Sequence, residues 1–331
     1  MQSQEFVKEY FKRYPLGTMQ DFVKYLYQAT LGSAHLVSNQ EANYQYLLKE
    51  YEEIQKDSRH MIFEEISEEL VRVHLEAIPK EYLAYYHYFF MLSVDIEEDK
   101  QKLIDALMNV KDIPFVKEDW DMYIKEYIEN DCPVMRHSET FREHYHPHYR
   151  LMKKQYIPYI QLLDKEGILA IEGNSASGKS TLAGLLSNAK GYPVISMDEF
   201  FLQPHQRTPE RFMEVGGNVD YERFYQEVVL HIHENKITYQ VFDCSCMALT
   251  HSKTINIDKG IIIEGCYSHH PYFNKYMNHR IFLSIDRDTQ IDRIRKRNGE
   301  VMLQRFINEW IPKEDLYFEK YQIKENAEIV L

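Results

Sequence analysis

The sequence predicts an α/β domain, with a parallel sheet flanked by helices, preceded by an all-α domain. Glycine distribution is the first reason: Gly17 and Gly32 are the only two of twelve glycines before residue 166. The first half is instead rich in Tyr and Glu, which favours helices. The second half has short Ile/Val runs separated by glycine-containing turns, the pattern of alternating strands and helices. We therefore predict domains over 1–160 and 161–331.

Composition limits the function classes. The chain has 331 residues and is 44% hydrophobic, enough for two domains with substantial cores. It has no run of about 18 apolar residues, so no membrane span is expected. The first residues are polar and lack the apolar core of a secretory signal peptide. None of the four cysteines forms a C-x-x-C motif. We therefore expect a cytoplasmic protein. The net charge of −13 argues against a broad nucleic-acid-binding face.

Apolar periodicity predicts a compact helical bundle in the first half. Thr18 followed by Asp21 resembles a helix-start signal with a carboxylate in the first turn. No repeat of 20–50 residues is present. The predicted helical stretches are 3–13, 18–31, 39–56, 79–94, 98–109 and 118–130.

Histidines crowd into the segment 137–148, and His35 and His74 lie elsewhere in the first half. A metal site could be formed from such a set, but the spacing of the clustered histidines is not a helical i, i+4 pair. A binding site for another ligand or partner, and a hydrogen-bonded polar segment, are the other two interpretations. The sequence leaves all three open. The clustered histidines are His137, His144, His146 and His148.

The second half opens with a phosphate-binding motif, G-x-x-x-x-G-K-[ST], at Gly173–Ser180. The apolar run 168–171 precedes it and a helical pattern follows it, which is the context the motif requires. Backbone N–H groups of the loop and the helix start would bind a polyphosphate. Lys179 would reach the phosphates, and the Ser180 hydroxyl would ligate Mg²⁺.

Acidic residues follow three of the predicted strands. Asp198 comes after a strand over 192–197, where ligands bind in open parallel sheets, and could accept a proton from an attacking hydroxyl. A helix cap or loop carboxylate is the alternative. The apolar strand 261–263 ends at Glu264, the expected position of a second Mg²⁺-linked carboxylate. Asp220 could cap a helix over about 221–235, and the strand that follows over 237–242 ends at Asp243.

Arginines follow a further strand over 279–285. Arg293 and Arg297 share one helix face, as i, i+4 neighbours do. They could clamp a transferred phosphoryl group as part of a lid, or they could form a solvated basic helix end. A helical run over 299–322 and a last strand over 327–331 complete the predicted domain.

The motif order GNSASGKST, MDEFF, RT…GGNVDYERF, FDC, IIIEG and DRIRKR resembles the uridine kinase-like branch of phosphate-loop kinases, which includes phosphoribulokinase and pantothenate kinase. The resemblance covers about 165–331. It implies a five-stranded P-loop NTPase-type sheet, ATP and Mg²⁺ as cofactors, and transfer of the γ-phosphoryl group to a hydroxyl of a small metabolite. The first half resembles a helical bacterial domain of uncharacterised function over most of 15–150.

The resemblance also implies roles for single residues. Asp198 matches the base, Glu264 the acidic strand end, and Arg293 with Arg297 the lid. Asp220 and Asp243 are candidates for acceptor binding. Met247 stands where nucleoside kinases carry a base-reading His, so a nucleoside acceptor is not assured. The residues that correspond to the ATP loop are Gly173, Asn174, Ser175, Ala176, Ser177, Gly178, Lys179, Ser180 and Thr181.

We therefore expect an ATP-dependent small-molecule kinase, with Lys179, Asp198, Arg293 and Arg297 as catalytic residues. The alternative is a nucleotide-sensing regulatory protein in which ATP binding controls the helical domain. The expected partner is a small phosphoryl acceptor, without membrane or nucleic acid. The acceptor's identity, ATP against GTP preference and a homo-oligomeric state are left open by the sequence.

Overall fold

The computed structural model describes residues 4–32, 40–54, 62–94 and 99–331. The chain forms two compact units, Met1–Ile157 and Pro158–Leu331. The predicted domain boundary at residue 160 stays a prediction. No helix in the described ranges is long and apolar enough to cross a membrane.

The N-terminal unit is mostly helical, as the sequence predicts, and each predicted helical stretch contains a helix. The second helix begins where expected, because Thr18 and Asp21 form a reciprocal capping box. The helices are α1 (Gln4–Arg13), α2 (Met19–Leu31), α3 (Gln40–Glu53), α4 (Leu83–Leu92), α5 (Lys100–Met108), α6 (Lys117–Glu129) and α7 (Glu139–Tyr145).

A three-stranded antiparallel sheet lies among these helices and was not predicted. Its strands are β1 (Phe63–Glu65), β2 (Leu70–His74) and β3 (Tyr149–Lys153), in the order β1-β2-β3. The strands are three to five residues long, too short for a reliable alternation of apolar and polar residues. The pairing of β2 with β3 spans more than seventy residues of sequence, at Leu70 and Lys153 for example.

The C-terminal unit contains the predicted five-stranded parallel sheet, in the order β10-β9-β4-β8-β5. The central strands are buried on both faces, as parallel strands covered by helices are. The strands of this sheet are β4 (Gly167–Gly173), β5 (Val194–Ser196), β8 (Gly260–Glu264), β9 (His279–Leu283) and β10 (Ile329–Val330).

The two remaining strands of this unit form a separate antiparallel hairpin, β6 (Lys236–Asp243) and β7 (Ala248–Asn256). The predicted strand over 237–242 is therefore real but is not part of the parallel sheet. A π-helical turn, Phe306–Trp310, separates the last two helices. The helices are α8 (Ile157–Ile160), α9 (Lys179–Lys190), α10 (Pro209–Met213), α11 (Tyr221–Glu227), α12 (Arg287–Arg305) and α13 (Ile311–Tyr321).

Strand register brings the acidic strand ends and the loop to one edge of the sheet. Glu264, the last residue of β8, pairs with Ile171 of β4 and with Ser196 of β5. Parallel strands place their carboxyl ends together, so the loop after β4, the turn after β5 and the end of β8 share this edge.

Candidate active site

The loop between β4 and α9 has the backbone of a phosphate-binding turn. Gly173 has φ 142° and Gly178 has φ 104°, conformations that favour glycine. A Cβ at Gly173 would lie 2.2 Å from the carbonyl oxygen of Leu283 in the neighbouring strand. Both space and backbone conformation therefore require glycine at Gly173, whereas Gly178 is required by conformation alone.

Lys179 bends back over this loop. Its Nζ donates hydrogen bonds of 2.8 Å to the carbonyl oxygens of Gly173 and of Asn174. The hydroxyl of Ser177 is buried without a hydrogen-bond partner among the described residues. A buried hydroxyl without a partner, a cationic side chain and a helix start meet in this loop. These groups fit a polyphosphate.

Two distant helices hold the loop. Glu314 of α13 accepts hydrogen bonds from the Ser175 hydroxyl and, at 3.0 Å, from the Ser175 N–H. Gln290 of α12 donates to the Ser175 carbonyl oxygen at 3.0 Å. Sequence reasoning missed Glu314 and Gln290, because no motif marks them and they lie more than a hundred residues from the loop.

Ser180 and Glu264, the predicted Mg²⁺ ligands, are together. The Ser180 hydroxyl donates to Glu264 Oε2 at 3.0 Å. Burial raises the pKa of Glu264 and Asp198 raises it further, against hydrogen bonds from Ser196 and Ser180 that lower it. A hydroxyl paired with a carboxylate is an oxygen donor set that fits Mg²⁺. Glu264 is the carboxylate that would hold it.

Asp198 lies in the short helical turn, Met197–Phe200, that follows β5. Its side chain is exposed to solvent, yet enough protein surrounds it that desolvation raises its pKa. Lys179 and Arg297 lower that pKa, and Glu199 raises it. The structure thus brings three of the four predicted catalytic side chains within electrostatic range of one another.

Lys179 is the cationic centre of a group of four acids, three of which are buried. It lowers the pKa of every carboxyl in this group, while burial raises each of them. The unexpected member is Glu172, directly before the loop, whose pKa burial raises to about 7. Its oxygens accept from the N–H groups of Gly173 and His269, both at 3.1 Å. The acids of the group are Glu172, Asp198, Glu264 and Glu314.

The two predicted lid arginines have different surroundings. Arg293 donates to the carbonyl oxygens of Ala176 and Ser177, at 3.2 and 3.4 Å. Among the described residues Arg297 hydrogen-bonds to Asn298, and it acts on Asp198 through its charge. Gly299, with φ 77°, interrupts α12 just after them. Arg293 therefore contacts the loop, whereas Arg297 influences Asp198 electrostatically.

The two predicted acceptor-binding residues are engaged within the protein. Asp220 caps α11 by accepting from the Arg223 N–H and also accepts from Gln206, at 3.1 and 2.9 Å. Asp243 accepts from the N–H and hydroxyl of Ser245 in the β6–β7 turn, at 2.7 and 2.6 Å. This geometry favours a structural role for both.

The histidine-based metal site finds no support in the part of the chain that the structure describes. No group of three His, Cys, Asp or Glu side chains there could hold a metal ion. His35 lies outside the described residues. His148 instead contacts Glu50 at 3.1 Å, and His137 contacts Asp21 at the same distance.

The fold and the loop define the C-terminal unit as a P-loop kinase segment. The shikimate kinase family model matches residues 175–331, which is just under half of the 331 residues. The match therefore supports the general kinase class and leaves the particular family open. P-loop kinases generally act on small molecules with ATP and Mg²⁺.

Among solved structures, a possible uridine kinase from Bacillus stearothermophilus is similar over 54% of this chain and 99% of its own. The identity is 20% and the TM-score 0.43, so this likeness supports no statement about function. No curated protein matches the chain.

Proposed function

We propose that the chain is an ATP-dependent kinase that transfers the γ-phosphoryl group to a hydroxyl of a small metabolite. The observation that carries the proposal is Asp198. It follows β5 at the edge of the sheet that carries the phosphate-binding loop, and both Lys179 and Arg297 act on the pKa of its carboxyl. A nucleoside-like acceptor remains one candidate class, and a cytoplasmic location is part of the same proposal.

Each of these residues has a definite task in the proposed reaction. The loop Gly173–Thr181 and Lys179 bind the phosphates of ATP, and Ser180 with Glu264 holds Mg²⁺. ATP with Mg²⁺ supplies the phosphoryl group and neutralises part of its charge. Asp198 orients the acceptor hydroxyl and takes up its proton. Arg297 stabilises negative charge on the transferred group.

Arg293 contributes through the loop. It donates to the carbonyl oxygens of Ala176 and Ser177 and so fixes the direction of the peptide groups around them. Most of the proposed rate enhancement comes from positioning of the reacting groups and from electrostatic stabilisation of the transferred phosphoryl group, as in other phosphoryl transfers.

The test is Asp198→Asn, compared with Asp258→Asn at an exposed carboxylate outside the site. Asp198→Asn should retain ATP binding and lose about 10²–10⁴-fold in transfer rate, because the proton acceptor is gone. In the unaltered protein, transfer should fall as pH drops through the Asp198 pKa, above the ordinary Asp value of 3.8. Unchanged turnover in Asp198→Asn would remove this residue from the mechanism.

A further inference from the structure

The turn that carries Asp198 is attached to the β6–β7 hairpin, which lies outside the parallel sheet. The next residue, Glu199, makes the attachment with its carboxylate. Glu199 Oε2 accepts a hydrogen bond of 2.5 Å from the Tyr239 hydroxyl of β6. Glu199 Oε1 accepts one of 3.1 Å from the Lys253 ammonium group of β7. One carboxylate therefore bonds to both strands of the hairpin.

Tyr239 is the buried partner of this attachment. Tyr239 and Lys253 are directly paired in the hairpin register. The Tyr239 side chain is only 1% exposed, and its ring centroid lies 5.3 Å from that of Phe200, the last residue of the turn. A buried tyrosine hydroxyl needs a hydrogen-bond partner. Burial raises the pKa of Tyr239, and the bond to Glu199 raises it further, so the hydroxyl keeps its proton and donates it to Glu199.

The backbone of the same turn is tied to the same hairpin by Arg223 of α11. Its Nη2 donates to the Glu199 carbonyl oxygen at 2.8 Å, and its Nη1 donates to the Gln240 carbonyl oxygen of β6 at 2.6 Å. The centre of the guanidinium lies 4.4 Å from the centroid of the Phe200 ring. A side-chain link through Glu199 and a backbone link through Arg223 thus join the turn to β6.

Asp198 itself depends on these links for its position. Among the residues that the structure describes, no group hydrogen-bonds to the Asp198 carboxylate. Its N–H donates to the Ser196 hydroxyl at 3.3 Å, which fixes the backbone and not the carboxylate. The place of the carboxylate is therefore set by the turn. A general base must lie within hydrogen-bond reach of the proton it takes up, so a displaced turn would slow transfer.

The ion pair with Lys253 is the weaker half of the attachment. The Glu199 side chain is 22% exposed and that of Lys253 37%. Ion pairs exposed to this extent contribute little, because water screens them and both side chains lose freedom. The hydrogen bond from the buried Tyr239 hydroxyl is therefore the contact on which the attachment mainly depends.

We propose that Glu199 is a positioning residue, which holds the Asp198 turn against the β6–β7 hairpin through the Tyr239 hydroxyl and so keeps the Asp198 carboxylate in place for phosphoryl transfer. This inference rests on the proposed function, since it concerns the same reaction. It adds a residue that does not touch the reacting atoms and a hairpin that carries no part of the phosphate loop.

Steady-state kinetics of the full chain test the catalytic part. Glu199→Ala should lower kcat at least about tenfold and leave the KM for ATP unchanged, because the Asp198 turn loses its attachment whereas the phosphate loop does not. Glu199→Gln should keep more of kcat than Glu199→Ala, since an amide oxygen still accepts from Tyr239. Thr238→Val is the matched control, because it removes a different cross-strand contact of the hairpin, the hydroxyl pair with Thr254, and it should keep full kcat.

A double-mutant cycle tests whether Glu199 acts through Tyr239. Tyr239→Phe removes a single hydroxyl and should lower kcat as Glu199→Ala does. Residues that act through one contact are not additive, so the double variant should be no slower than Glu199→Ala alone. Tyr239→Phe also serves if Glu199→Ala does not fold. Full kcat in Glu199→Ala or in Tyr239→Phe, or fully additive losses in the double variant, would overturn the proposal.

Hydrogen–deuterium exchange tests the attachment without any acceptor. Exchange in 197–200 should become faster in Glu199→Ala and in Tyr239→Phe, and it should stay unchanged in β4 and in Thr238→Val. Unchanged exchange in 197–200 would overturn the proposal whatever the activity. If the unaltered protein phosphorylates no acceptor, the proposed function fails and the catalytic role of Glu199 fails with it, while exchange still decides whether Glu199 holds the turn.

Discussion

Glu172 shows how strongly one residue is affected by its position under the phosphate loop. It is fully buried and also contacts the Tyr317 hydroxyl at 3.2 Å. Desolvation raises its pKa from 4.5 to about 7, against the influence of Lys179. Near neutral pH this carboxyl is therefore partly protonated, unlike an ordinary glutamate.

This raised pKa predicts a pH-dependent stability. Between the two pKa values the native state holds a proton that the unfolded chain has released, so stability falls as pH rises. Glu172→Gln removes the titrating carboxyl, so its stability relative to the unaltered protein should rise by up to about 3 kcal/mol between pH 5 and pH 8. Thermal unfolding at both pH values measures this, with exposed Glu166→Gln as control. A difference that does not change with pH would contradict it.

Residues at strand ends were predictable, and residues that reach the site from elsewhere were not. Asp198 and Glu264 follow apolar runs, so the sequence itself indicates that they share an edge of the sheet. Glu314 lies within a helix with no motif, and only the folded chain places it against Ser175.

At the scale of elements, side chains of α12 and α13 hold the phosphate loop by hydrogen bonds. Gln290 and Glu314 take up the carbonyl, N–H and hydroxyl of Ser175. The loop conformation therefore depends on helices on either side of the π-helical turn Phe306–Trp310. π-Helical turns of this kind occur frequently at functional sites.

Glu314→Gln tests this bracing. An amide offers one acceptor oxygen where the carboxylate offers two, so either the Ser175 N–H or its hydroxyl loses its partner. Backbone amide exchange in 175–178 should become faster, while exchange in β4 and β8 stays unchanged. The control is Glu309→Gln, at an exposed glutamate that pairs with Arg305 and Lys313. Unchanged exchange in the loop would show that Glu314 does not hold it.

Elements were predictable where their sequence pattern is long. The predicted stretches contain α1–α6, which run for nine or more residues, whereas the seven-residue α7 was not predicted. The sheet β1-β2-β3 was missed because its strands are short and its register depends on contacts distant in sequence. Strand β6 was predicted, but its separation from the parallel sheet is a property of the folded unit.

At the scale of the whole molecule, the chain has two compact units with separate polar centres. The C-terminal unit carries the phosphate loop, and the N-terminal unit carries the buried pair of Asp21 and His137. The central claim concerns the first of these, because phosphoryl transfer to a hydroxyl is what the loop, Asp198 and Arg297 are proposed to perform together.

The most direct measurement is ATP consumption with a panel of hydroxyl-bearing metabolites (nucleosides, sugars, vitamins and hydroxy acids), followed by mass analysis of the acceptor. The account predicts consumption that depends on one class of acceptor, yields its phosphorylated form, and falls by at least about 10²-fold in Lys179→Ala. Lys275→Ala, at an exposed lysine outside the site, should keep full activity. ATP consumption that no acceptor stimulates, or that Lys179→Ala retains, would contradict the account.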